Sequence, residues 1–123
     1  MTVGEINKSL EPVIECFLFS KKREHKKFAV VDTGFNGFLS APNKLLMSLG
    51  WVHLGYEKYE IATGEIVQQK IYFGKIRFMG VEQNVVGVAS QAKDVLLGTS
   101  LLNMNRCVIQ IDFPQKIVRI QRK

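Results

Sequence analysis

The sequence has few of the residues that mark secreted, membrane-spanning or disulfide-rich proteins. It contains two cysteines, Cys16 and Cys107, and no stretch approaches the ~18 uncharged apolar residues of a transmembrane helix. The first thirteen residues carry three charged side chains and no long apolar segment, so they are not typical of a secretory signal. We therefore expect a cytoplasmic protein with no membrane partner, in which both cysteines are small buried side chains in a reducing compartment.

Metal-ligand spacings are also missing. The sequence has no Cys-x-x-Cys or His-x-x-x-His pattern, and its two histidines, His25 and His53, lie in unrelated surroundings. We expect no metal ion and no cofactor. Aspartate is scarce as well, since the chain has only Asp32, Asp94 and Asp112.

What the chain does contain is typical of one globular domain spanning residues 1–123. It has a mass of 14.0 kDa, 46% hydrophobic residues and 23% charged residues. The net charge is +6, and five basic residues lie within residues 21–27. This segment is either a solvated hairpin turn or a patch for nucleic acid or another anionic surface. We favour the turn, and expect no nucleic-acid partner, because no aromatic side chains interleave with these charges as a stacking platform requires.

Short β-prone runs separated by turn residues dominate the rest of the chain. They predict about eight strands, which include residues 13–19, 28–31, 56–61, 66–73, 75–79, 81–89, 106–112 and 117–120. Two short helices are predicted, one from Pro42 to a stop at Gly50 and one capped by Thr99 or Ser100. Val3 and Ile6 are too few to assure an N-terminal strand. The pattern indicates an all-β, closed barrel-like domain with one or two short helices.

One motif stands at the end of an apolar strand. Residues 28–31 are apolar and lead directly into Asp32-Thr33-Gly34. A carboxylate at the end of a buried strand needs a polar partner, because burying it unpaired is costly. Asp32 is either a turn former that accepts hydrogen bonds from nearby N–H groups or a catalytic group. The tripeptide alone does not separate these interpretations.

The order of three features resembles the retropepsin-like, single-domain aspartic proteases of retroviral type. Residues 29–34 resemble the catalytic signature, and Leu96-Leu97-Gly98 resembles the second motif, which packs behind the catalytic loop. Ala62-Thr63-Gly64 stands where these proteases carry a flap hairpin. The resemblance implies an acid-protease fold with Asp32 as the catalytic residue. It also implies that Thr33 and Gly34 support the loop, and that a peptide substrate contacts Phe35, Asn36, Gly37, Ala62, Thr63 and Gly64.

The implied chemistry needs two carboxyl groups, whereas the chain has one Asp-Thr-Gly. In such a pair, one carboxylate takes a proton from water while the other donates one to the scissile carbonyl. Asp94 and Asp112 are not followed by Thr-Gly, so neither matches the motif. The resemblance therefore implies an aspartic endopeptidase that hydrolyses peptide bonds as a two-fold homodimer, with one Asp32 from each chain.

The sequence departs from the family pattern at three places, and the first two of these departures support an alternative function. Phe35 stands where retroviral members usually have alanine, so it either narrows the neighbouring pocket or packs away from it. Asn36 and Thr99 occupy the positions of an acid and an arginine that form an ion pair in many members. A complete hairpin at 106–122 replaces the single C-terminal strand of the shortest members. The alternative is a catalytically inactive peptide-binding or assembly module on the same fold.

Overall fold

A computed structural model describes all residues, 1–123, and contains ten strands and two short helices. The elements are β1 (Thr2–Ile6), β2 (Pro12–Phe19), β3 (Glu24–Val31), β4 (Leu39–Pro42), α1 (Asn43–Ser48), β5 (Val52–Glu60), β6 (Ile66–Phe78), β7 (Val81–Ser90), β8 (Val95–Leu97), α2 (Thr99–Met104), β9 (Cys107–Asp112) and β10 (Ile117–Arg122). No helix is long and apolar enough to cross a membrane.

Six of the strands close into a barrel. They are hydrogen-bonded in the order β6-β7-β4-β8-β3-β2, and β2 pairs with β6 through Phe17 opposite Arg77 and Leu18 opposite Ile76. Two of the pairings, β3 with β8 and β4 with β7, are parallel. Alternate side chains of each strand point into the barrel, where Leu18, Ile76 and Phe78 are fully buried. The prediction of an all-β closed barrel with two short helices is confirmed.

A three-stranded extension, β1-β10-β9, continues the sheet beyond β2. The chain therefore has ten strands and not the eight or so that were predicted. One of the additional strands is β1, for which the signal in the sequence is too weak. It is stabilised by pairing on both sides, with Thr2 opposite Ile120 and Ile6 opposite Pro12. The C-terminal hairpin of β9 and β10 forms as predicted.

Gly74 does not end a strand, contrary to the separate strands predicted at 66–73 and 75–79. Strand β6 runs through it as one element of 13 residues. A Cβ atom at Gly74 would lie 2.0 Å from the ring of Trp51, so glycine is present here to admit the indole. Trp51 is buried, and its Nε1–H donates to the Phe19 carbonyl at 2.8 Å.

Helix α1 forms as predicted, whereas the predicted cap of α2 is wrong. Pro42 precedes α1, and Gly50, with a φ of +75°, follows its C-terminus. The N-cap of α2 is Gly98, and neither Thr99 nor Ser100 caps the helix through its side chain. Both hydroxyl groups bind the neighbouring loop instead.

The structure agrees in part with the expectations for the basic segment and for the two cysteines. The turn between β2 and β3 covers only residues 20–23, and the second half of the basic segment lies in β3. Both cysteines are free thiols; Cys16 is in the core and Cys107 is half-buried. Burial, with a smaller contribution from Glu15, raises the pKa of the Cys16 thiol from 9.0 to about 12.

Candidate active site

Asp32 lies immediately after β3, at the edge of the buried barrel. Val31, its neighbour in β3, is 4% exposed, while Asp32 itself is half-buried. The Asp32 N–H donates to the Leu97 carbonyl at 2.9 Å, which continues the parallel pairing of β3 with β8 by one residue. This pairing fixes the position of Asp32 relative to the second motif.

The carboxylate of Asp32 turns back on its own loop. The Gly34 N–H donates to Asp32 Oδ1 at 2.9 Å, and the Phe35 N–H donates to the Asp32 carbonyl at 3.2 Å. The turn-former interpretation therefore describes the local geometry correctly. It does not compete with a catalytic role, because the one donor binds Oδ1 and the same hydrogen bond orients the carboxylate.

Residues 98–100 hold the other side of the loop. The Thr99 N–H donates to the Phe35 carbonyl at 2.8 Å, and the Ser100 N–H donates to the Gly37 carbonyl at 3.1 Å. The first N–H groups of a helix have no partner inside the helix, so the loop carbonyls satisfy two of them. A Cβ atom at Gly98 would lie 2.2 Å from the Gly37 carbonyl oxygen, which only glycine permits.

The two hydroxyl groups of α2 add further bonds to the loop. Thr99 Oγ1 lies 3.3 Å from Asn36 Oδ1 and 3.4 Å from the Phe35 carbonyl oxygen, and Ser100 Oγ donates to the Asn36 carbonyl. Asn36 and Thr99 thus meet at the positions where many retroviral members have an ion pair. The side-chain hydrogen bond joins them without charge.

Phe35 packs into the loop. Its ring is half-buried and lies against Gly37 and Gly98, where a Cβ atom would come within 2.5 Å and 2.7 Å of ring carbons. Of the two sequence-based alternatives for Phe35, packing describes this contact. The glycines at 37 and 98 make room for a larger side chain than alanine.

The remaining predicted site residues lie on the surface. Thr33 and Gly34 are exposed, and the Thr33 hydroxyl forms no hydrogen bond within the chain. Ala62, Thr63 and Gly64 form the exposed tip of the β5–β6 hairpin, where Gly64 has a φ of +85°. No hydrogen bond joins this tip to the Asp32 loop within one chain.

Neither of the other aspartates joins Asp32. Asp94 precedes β8, which runs parallel to β3, so it lies at the opposite end of the strand pair from Asp32. Asp112 accepts from the Gln115 N–H at 3.0 Å and lies 3.8 Å from Arg119, which holds it in the β9–β10 turn. One chain therefore supplies one aspartate to this site. No group of three or more His, Cys, Asp or Glu side chains is arranged to hold a metal ion.

A hollow of about 470 Å³ beside Asp32 was not predicted from the sequence. It is lined by Asp32 and Thr33 and by side chains of the β1–β2 turn, β2, β3 and β9, which include Leu10, Glu11, Pro12, Ile109 and Ile111. The alternation of Ile109 and Ile111 along β9 indicates a common face, but only the sheet order brings that face to Asp32.

The fold was compared with known proteins. No family model and no curated protein matches the chain. Among solved structures, the chain is similar to a retropepsin-like aspartic protease from Rickettsia conorii, at 20% identity with a TM-score of 0.67, over 98% of this chain and 89% of that one. It is also similar to the protease of Simian Foamy Virus (mac), at 20% identity with a TM-score of 0.57, over 74% of this chain and 91% of that one. The resemblance predicted from the motifs is thus confirmed for the fold: the chain has a retropepsin-like fold.

Proposed function

We propose that the chain is an aspartic endopeptidase that acts as a homodimer, with Asp32 of each copy forming the catalytic pair. The observation that carries this proposal is the Asp32 loop. An aspartate followed by Thr33 and Gly34 leaves a buried strand of a retropepsin-like fold, and the second motif holds it in place through Leu97 and Gly98.

The chemistry follows from two carboxyl groups about 3 Å apart, which share one proton because both cannot ionise easily. The ionised carboxyl takes a proton from water, and the resulting oxygen attacks the carbonyl carbon of the peptide. The protonated carboxyl donates its proton to the carbonyl oxygen. When the C–N bond breaks, the leaving nitrogen receives a proton from the pair. The hydrogen bond from the Gly34 N–H to Oδ1 would hold the Asp32 carboxyl group in position for both steps.

A second copy is needed because one chain supplies only one aspartate. A two-fold axis beside Asp32 would bring both carboxylates together and would bury the exposed Thr33 hydroxyl against its counterpart. The apolar hollow lined by Leu10 and Ile111 opens at the same place, and these side chains are 57% and 39% exposed. We expect side chains of the partner to fill it.

A peptide substrate would lie between the Asp32 loops and the two β5–β6 hairpins. Thr99 Oγ1 hydrogen-bonds Asn36 Oδ1, which leaves the amide NH2 of Asn36 as a donor for a substrate carbonyl. Gly37 and the exposed face of Phe35 continue this wall. Ala62, Thr63 and Gly64 would close over the peptide, with Gly64 permitting the hairpin tip to move.

The test is cleavage of an unfolded protein substrate between pH 3 and 7. Asp32→Asn should lower the rate by at least about a hundredfold, because it removes the acid–base group. Asp94→Asn is the matched control, since it makes the same change at an exposed aspartate and should leave the rate unaltered. Adding an equimolar amount of the Asp32→Asn chain to the wild type should lower activity by about half through mixed dimers.

Equal activity of the wild type and Asp32→Asn would contradict the proposal, as would a rate strictly proportional to protein concentration at all dilutions. A second candidate is a catalytically inactive peptide-binding or assembly module. The neutral hydrogen bond between Asn36 and Thr99, in place of an ion pair, is the observation that favours it. That function predicts peptide binding without turnover, unchanged by Asp32→Asn.

A further inference from the structure

The outer surface of strands β3, β2 and β6 carries phenylalanine and basic side chains side by side. In β2, Ile14, Cys16 and Leu18 point into the barrel, so Phe17 and Phe19 point outward. Phe17 lies opposite Lys26 of β3 on one side and Arg77 of β6 on the other. One ring thus lies between two cations in a row across three strands.

The cations lie against the phenylalanine rings. The Arg77 guanidinium carbon is 5.2 Å from the centre of the Phe17 ring, and Lys75 Nζ is 4.8 Å from the centre of the Phe19 ring. Two further rings extend the surface, and they are open to solvent: Phe28 is 68% exposed and Phe73 is 43% exposed. We call this surface, with residues 20–23, the basic aromatic face.

The net charge of this face comes from its turn. The carboxylates of Glu15 and Glu82 are paired with Lys26 and Lys75, at 3.8 Å and 3.5 Å, and Glu24 is paired with Arg77. On this face, three exposed cations have no ion-pair partner, and all of them are in the turn: Lys21, Lys22 and Arg23. The face thus carries an excess of three positive charges, half of the net charge of the chain.

A pocket of about 490 Å³ joins the turn to the rings. The turn cations Lys21, Lys22 and Arg23 line one side, and Phe19, Trp51 and Phe73 contribute aromatic surface. The indole of Trp51 is held rigidly by its bond to the Phe19 carbonyl and by its packing on Gly74. The volume lies within the range of small-molecule sites and is large enough for one nucleobase.

We propose that the basic aromatic face binds single-stranded nucleic acid. Aromatic rings that stack on unpaired bases, beside cations that follow the phosphates, are the two components of such sites. The sequence of residues 21–27 contains no aromatic side chain, but the fold supplies them from β2, β3 and β6 and from Trp51, which precedes β5. An anionic membrane fits less well, because insertion among lipids needs an apolar surface, whereas the Phe17 and Phe19 rings lie against the charged groups of Arg77 and Lys75.

The test measures the Kd of the full-length protein for a labelled oligothymidylate of twelve nucleotides by fluorescence anisotropy. Phe28→Ala should raise the Kd about fivefold or more through the loss of stacking on one base. Phe113→Ala is the matched control, because Phe113 is 48% exposed in the β9–β10 turn and should leave the Kd within twofold. Circular dichroism checks that both variants fold.

Salt dependence tests the charged component separately. Three phosphates neutralised by the turn give a slope of about −2 in log K against log salt, a loss of about twentyfold between 50 and 200 mM. The double change Lys21→Gln and Lys22→Gln should make the slope less negative by about 1.4. The control double change, Lys93→Gln with Lys116→Gln, should not alter the slope.

Each other outcome overturns the proposal. No binding at 50 mM salt overturns it, as does equal weakening by the Phe28 and Phe113 variants. Binding to phosphatidylserine vesicles without binding to the oligonucleotide assigns the face to a membrane instead. If Phe28→Ala does not fold, the lysine pairs decide, since all four lysines are exposed.

Discussion

Gly98 offers a sharp test of how the Asp32 loop is held. A Cβ atom at this position would lie 2.2 Å from the Gly37 carbonyl oxygen and 2.7 Å from both the Phe35 carbonyl oxygen and its ring. The backbone of Gly98 has a φ of −99° and a ψ of 175°, which any residue adopts. The cost of Gly98→Ala therefore comes from the close contact and not from backbone strain.

The magnitude can be worked out from the contacts that must change. Forcing a methyl group into a packed site costs about 1–3 kcal/mol. To relieve the contact, the loop must move away from α2, which breaks the bonds from the Thr99 N–H to Phe35 and from the Gly98 N–H to Phe38. Each is worth about 1 kcal/mol. We expect Gly98→Ala to lower the free energy of unfolding by about 3–5 kcal/mol. This is a large part of the total free energy of unfolding of a typical domain, which is about 5–15 kcal/mol.

Urea unfolding at one protein concentration, followed by the fluorescence of Trp51, measures this loss. With a slope of about 2 kcal/mol per molar, the midpoint should fall by about 2 M. Gly50→Ala is the control, because Gly50 has a φ of +75° and nothing within 4 Å of the added methyl group. It should lose only the backbone cost of about 1–2 kcal/mol. If Gly98→Ala is no less stable than Gly50→Ala, the close contact at Gly98 does not hold the Asp32 loop in place.

Two further predictions concern the core and the dimer. Because burial raises the pKa of Cys16 from 9.0 to about 12, the folded state keeps a proton that the unfolded state loses above pH 9. The free energy of unfolding should therefore fall by about 1.4 kcal/mol per pH unit from pH 9 towards 12. If the free energy of unfolding of a Cys16→Ala variant falls as steeply with pH, this prediction is refuted. Ile111→Glu in the hollow beside Asp32 should weaken the proposed dimer at least about tenfold in sedimentation experiments, a loss of about 1.4 kcal/mol. Val81→Glu, at a valine of similar exposure at the start of β7, should leave association unchanged, and equal effects would exclude the hollow from the interface.

The elements that the sequence predicted correctly are those with local determinants. The β5–β6 hairpin turns at Gly64 with a positive φ, and the β6–β7 hairpin turns at Gly80. Helix α1 begins after Pro42 and ends before Gly50. In each case one residue with special backbone geometry marks the boundary, so neighbouring sequence is sufficient.

The errors arise where distant residues decide. Strand β1 has few apolar residues and forms because two other strands pair with it; a Cβ atom at Gly4 would lie 2.1 Å from the Val13 carbonyl oxygen. Gly74 predicts a strand break locally, but the ring of Trp51 requires it inside a continuous strand. Threonine and serine are common helix caps, yet the hydroxyl groups of Thr99 and Ser100 bind a loop that lies more than sixty residues away in the sequence. Local propensity carries no information about these contacts.

Strand β3 connects the two proposed sites and also separates them. Its eight residues run from the basic turn at Glu24 to Asp32, a length of about 26 Å at 3.3 Å per residue. Changes that far apart usually act additively, so Asp32→Asn should abolish cleavage and leave oligonucleotide binding intact. The double change at Lys21 and Lys22 should weaken oligonucleotide binding and leave cleavage intact. If the wild-type chain binds the oligonucleotide but cleaves no peptide, the endopeptidase proposal is refuted and the proposal for the basic aromatic face stands. If it cleaves peptides but does not bind the oligonucleotide, the proposal for the basic aromatic face is refuted and the endopeptidase proposal stands.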